Sequence, residues 1–169
     1  MRGLFVIPQL PWPTIDGTSV TVHHLTSALR DRGHQLHLLL LNRPTDADLA
    51  SWPLRDQVSW SCIDDTADDE SIGLQRPVGS LHERWLSYWD LDPSHPLRVA
   101  AAVSQFQADY VEAFGQSILP LLGCIPQHVP LLWIAHDDRC LYHLSRLRTQ
   151  RSLRGLTSTL RNAVTMAAY

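Results

Sequence analysis

Apolar residues in this chain come in short runs separated by turn signals, and the runs alternate between two periods. Leu4–Ile7 and Gln35–Leu41 are nearly continuous apolar stretches of strand length, as expected of strands covered on both faces of a parallel sheet. Between them, Val22, Leu25, Ala28 and Leu29 repeat at helical spacing from Val20, with Arg30 and Arg32 in the last turn and Gly33 just beyond. Strand, loop, helix and strand make a βαβ unit with a right-handed crossover. Further on, the pattern predicts a strand over Val58–Ile63 and a helix carrying Leu81, Trp85 and Trp89. After a break at Asp92–Pro96, a second helix carries Val99, Val103 and Phe106. A strand over Tyr110–Phe114, a short helix over Ser117–Leu122 and a strand over Leu131–Ala135 follow. The alternation argues for an α/β fold, a Rossmann-like parallel sheet with helices on both faces.

Leu153, Leu156, Leu160 and Val164 then mark a closing amphipathic helix, whose apolar face has no visible partner downstream. Residues 1–169 are therefore expected to form one domain, incomplete at its C-terminal end.

Charge adds one asymmetry. All 14 basic residues are Arg; eight of them share residues 1–138 with all 17 acids, leaving six Arg and no acid over 139–169. An Arg-rich amphipathic segment suits phosphates, anionic headgroups or an acidic partner, and its ordinary reading is a solvated face. The net charge of -3 and the lack of a basic stripe interleaved with aromatics speak against nucleic acid. Cys62, Cys124 and Cys140 are odd in number and lack Cys-x-x-Cys spacing, as expected of reduced thiols. No apolar run approaches the roughly 20 residues of a membrane span. A cytoplasmic protein is expected, peripheral to the inner face of the membrane if the Arg-rich helices meet lipid.

The chemistry concentrates in the loop after the first strand. Pro8, Pro11 and Pro13 stiffen it, and it delivers Asp16, Gly17, Thr18 and Ser19 to the start of the helix. Gly17 admits an anion close to the backbone, the helix N-terminus carries partial positive charge, and Thr18 or Ser19 is the expected cap. A dinucleotide oxidoreductase would instead show Gly-x-Gly-x-x-Gly directly after the strand. His136, Cys140 and His143 are spaced for zinc only if a helix already includes residue 136. The acidic run from Asp64 to Glu70 lacks the glycine and spacing of a calcium loop. Trp85 and Trp89, at i and i+4, suit core packing better than a sugar platform, and Trp12 is the better exposed aromatic.

Taken in order, Leu4–Pro8, Pro11–Pro13, Asp16–Thr18, His24–Leu25, Ala28–Leu29, Arg32–His34 and Ala135–Asp137 resemble the N-terminal domain of family 4 glycosyltransferases of GT-B fold, over essentially the whole chain. The resemblance implies one half of a two-domain architecture, the acceptor-side domain, with the nucleotide-sugar-binding C-terminal domain absent. It also implies a retaining, metal-independent transferase without cofactor, whose partners are a nucleotide sugar and a carbohydrate or lipid-linked acceptor. Gly17 matches the first of the family's paired glycines near the donor phosphates, and Thr18 stands where the second is expected. His136 looks like the family's histidine beside the transferred sugar, and Asp137 would orient it or touch the acceptor. Glu112 falls where many relatives carry a polar residue at a strand's end, which suits an acceptor hydroxyl or a base. With one domain only, the chain is expected to be inactive alone. The alternative is a stand-alone phosphate- or nucleotide-binding module without catalysis.

Overall fold

The computed structural model describes residues 1–65 and 80–134, with the side chains of 80–82 excepted. Five strands, β1 (Arg2–Ile7), β2 (Gln35–Leu40), β3 (Ser59–Cys62), β4 (Tyr110–Phe114) and β5 (Leu131–Ile134), form one sheet in the order β3-β2-β1-β4-β5. Every pairing is parallel. The strand order reverses direction at β1, so a crevice is expected outside the carboxyl ends of β1 and β4.

Helix α1 (Gly17–Asp31) and the short α2 (Asp46–Ser51) connect the first three strands. Phe5, Ile7, Leu38, Leu40 and Phe114 point to one side of the sheet and pack in a core with Val22 of α1 and with Trp52 and Leu54 after α2. Leu4, Val6, Leu39, Val111 and Ala113 alternate to the other side and are equally buried. That side receives α4 (His95–Phe106), whose Val99, Ala100 and Val103 are buried, and the 3-10 helix Gln116–Cys124. Period-two strands thus carry two apolar faces, one for each helix layer.

The chain divides into two units, Met1–Pro77 with Ser94–His136, and Val78–Pro93 with Asp137–Tyr169. The first holds the sheet. In the second, α3 (Ser80–Tyr88) carries Trp85, which is 2% exposed and so offers no sugar platform. Trp89 stacks edge-on against Tyr88 at 5.0 Å.

Three expectations need adjustment. α1 begins at Gly17 rather than Val20, because Asp16 caps it. α2 was not foreseen: at six residues it is too short for an amphipathic period to show. The element after β4 is a nine-residue 3-10 helix, with Pro120 inside it, where a shorter helix was expected. The closing amphipathic helix, Cys140 and most of the Arg-rich segment lie outside the described residues.

Candidate functional site

β1 ends at Ile7, and Pro8 leads the loop across the carboxyl edge to Asp16. Trp12 anchors this loop: its indole N–H donates to Ser51 Oγ at 3.1 Å, and its ring lies 5.3 Å from that of His23. It is therefore half-buried and held, not freely exposed. The Trp12–Pro13 peptide bond is cis.

At the helix start, Asp16 Oδ1 accepts from the Ser19 N–H at 2.7 Å, while the Asp16 N–H donates to Ser19 Oγ at 3.1 Å. This reciprocal box replaces the expected Thr18 or Ser19 cap and is legible, in hindsight, as Asp-x-x-Ser. It also fixes which amides are left over. The first intrahelical donor is Val20, to Asp16 O at 3.0 Å, and Asp16 takes Ser19, so the Gly17 and Thr18 N–H groups are left without a partner among the described residues. Thr18 does not have a positive φ, so a threonine at the second position costs the backbone nothing. Gly17 is more telling. It too lacks a positive φ, and a Cβ there would meet nothing within 4 Å. The fold does not require this glycine.

β4, the neighbour of β1, ends at the same edge. Gly115, directly after it, has φ +87° and ψ 164°, a conformation essentially restricted to glycine. Its N–H donates to Ile134 O, and its carbonyl accepts from the Trp133 indole N–H at 2.9 Å. The Pro8 ring lies 3.8 Å from where a Gly115 Cβ would stand, so the turns after β1 and β4 adjoin at the carboxyl edge. Sequence reading passed over Gly115, although a glycine closing an apolar strand before polar Gln116 and Ser117 was a usable signal.

Glu112 is placed differently from the expectation. It is the third residue of β4, level with Phe5 and Leu132, beneath the carboxyl edge rather than on it. It is 9% exposed, and its Oε2 finds no hydrogen-bond partner among the described residues. Burial pushes its carboxyl above the ordinary value of 4.5. A raised native pKa means stability is complete at low pH and declines as pH rises through that pKa. Glu112→Gln is accordingly expected to stabilise the fold at pH 7.5 by about 1–2 kcal/mol. The gain should fade below about pH 4.5, as urea unfolding at the two pH values would measure.

His136 and Asp137 lie outside the described residues, as do Cys140 and His143 of the zinc alternative. β5 ends at Ile134, on the same edge as the loop and beside the β4 turn. Among the described residues no group of three His, Cys, Asp or Glu side chains could hold a metal ion, and no helix is long and apolar enough to cross a membrane. Asp64 instead meets His95 and Arg98, each at 3.3 Å, and Asp65 pairs with Arg43. Cys62 and Cys124 are buried, and burial pushes both thiols up in pKa.

A parallel α/β sheet with its strand-order reversal at β1 and a stiff glycine-bearing loop at its carboxyl edge defines a Rossmann-like domain. Residues 16–168 match the glycosyl transferase 4-like domain, and the chain belongs to that family. Among solved structures it is similar to UGT2 of Phytolacca americana complexed with UDP-2fluoro-glucose and pterostilbene, at 17% identity and TM-score 0.41 over 90% of this chain and 35% of that one. The apo form of that protein matches at 21% identity and TM-score 0.40, over 90% of this chain and 34% of the other. The chain thus spans about a third of the length of those structures. No curated protein matches it.

Proposed function

We propose that this chain is the acceptor-side domain of a retaining, metal-independent glycosyltransferase that takes its sugar from a nucleotide-sugar donor. Gly17 carries the reading: an exposed glycine with no conformational or packing need stands at a helix N-terminus on the carboxyl edge, in a chain of the glycosyl transferase 4-like family. A ligand approaching the backbone supplies the missing reason for it. The Gly17 and Thr18 amides donate to a donor phosphate oxygen, while Asp16, already committed to the cap, keeps the first turn in shape. A second domain, facing this one, holds the nucleotide.

His136 hydrogen-bonds the transferred sugar and supports positive charge developing at its anomeric carbon, with Asp137 fixing the imidazole. With retention of configuration, a donor phosphate oxygen takes the acceptor proton on the face from which the leaving group departs, so no paired carboxylates are needed. Glu112, buried beneath the carboxyl edge and biased towards its neutral form, is poorly suited to serving as a base. The Arg-rich segment over 139–169 suits a lipid-linked acceptor at an anionic membrane.

The test is transfer from UDP-, GDP- and ADP-sugars to glycan and lipid acceptors, by the 169-residue chain and by the chain extended with its downstream reading frame. Transfer by the longer protein alone, with the anomeric configuration of the donor kept by NMR, is the expected result. Comparable transfer by the short chain, or an inverted product, would overturn the proposal.

A further inference from the structure

His37 interrupts the apolar run of β2, and the transferase reading gives it no task. Its ring is bracketed by the two serines of the edge strand: Nδ1 lies 2.9 Å from Ser59 Oγ and Nε2 lies 2.9 Å from Ser61 Oγ. The tautomer follows from the proton count. Ser59 spends its only hydroxyl hydrogen on Leu36 O, 3.1 Å away, so Ser59 Oγ can only accept from the imidazole and Nδ1 carries the proton. Nε2 is then the acceptor, and Ser61 donates to it. A second ring proton would abolish that bond, because two donors would face each other until the Ser61 hydroxyl turned away.

We propose that His37 is an acid-sensitive latch that ties edge strand β3 to the rest of the sheet. The surroundings favour the neutral ring. Phe106 of α4 packs against it at 5.3 Å between ring centroids, and Leu4 of β1 lies opposite in register. β3 carries no charged side chain over Ser59–Cys62. The charges of α4, His95 and Arg98, sit in its first turn with Asp64, at the end of the helix away from Phe106. Near the Phe106 end, among the described residues, the charged side chain on this face of the sheet is Arg2, whose guanidinium bonds to Gln35, Gln107 and the Phe106 carbonyl and repels a second cation. Asp109 accepts from the Arg2 backbone N–H at 2.6 Å. Burial lowers the His37 pKa below its ordinary 6.5. A depressed histidine leaves stability complete above about pH 6.5 and removes it as pH falls towards the native pKa. β3 leads straight into Asp64 and Asp65, so releasing the latch loosens the outer end of the carboxyl edge.

Side-chain ¹⁵N NMR of the full chain, combined with hydrogen exchange of residues 59–62 from pH 8 to 5, tests this. The Nδ1–H tautomer is expected, with a titration midpoint below 6.5. Amide protection, corrected for the intrinsic exchange rate, should fall about tenfold or more on acidification, and His37→Gln should lose that pH dependence. Ser61→Ala, which removes only the donor to Nε2, should move the midpoint upward and serves if His37→Gln does not fold. An Nε2–H tautomer, equal acid loss in His37→Gln, or an unmoved midpoint in Ser61→Ala would overturn the latch.

Discussion

Gly17→Val is expected to leave stability within about 0.5 kcal/mol of the parent while lowering sugar transfer about 100-fold in a protein competent for it. The first half of the outcome follows from the backbone. Gly17 is the first residue of α1, without a positive φ and with open space around its Cβ position, so a side chain enters without strain. Any activity loss must then come from what the side chain meets when substrate is bound. Gly17→Ala should fall between the two, since its methyl fills less of the space a phosphate needs. Thermal unfolding and initial-rate kinetics on the same preparations decide the matter. Unimpaired transfer by the valine variant would remove the loop from the donor site, and a collapsed melting temperature would show that the fold needs the glycine after all.

Phe114→Ala should act in the opposite way, on stability first. Phe114 is fully buried at the end of β4, with its ring centroid 5.5 Å from that of Phe5, in the core shared by the sheet and α1. Deleting a buried aromatic ring costs about 3–5 kcal/mol, from lost transfer energy and from the cavity left behind. That is a large share of the 5–15 kcal/mol typical of a domain. The loss should register as a lower urea midpoint with little change in slope. Phe114→Leu, which refills most of the volume, should recover more than half of it.

The sheet was the legible part of this chain. Leu4–Ile7, Gln35–Leu41 and Tyr110–Phe114 are apolar enough to demand cover on both faces, and turn residues fence them closely, so β1, β2 and β4 stand where the runs do. Helix starts were harder, because a cap is a local exchange of hydrogen bonds that leaves the apolar period untouched: Asp16 took the place expected of Thr18 or Ser19. Register was invisible. Only pairing with Phe5 and Leu132 shows that Glu112 sits in the interior of the sheet rather than at its rim. The His37 bracket was equally hidden, since its two serines come from a strand more than twenty positions away. His136 and Asp137, named from the resemblance alone, lie outside the described residues, and their roles stay with the proposal.

Gly17 and Gly115 lie in the turns that follow β1 and β4, at the same edge of the sheet, yet they answer to different pressures. The backbone at Gly115 tolerates hardly any other residue whether or not a ligand ever arrives. In a library with both codons randomised, selection for folding alone would return glycine at 115 and nearly anything at 17. Selection for sugar transfer would narrow the second position as well. The gap between those two harvests would measure how much of this loop belongs to architecture and how much to chemistry.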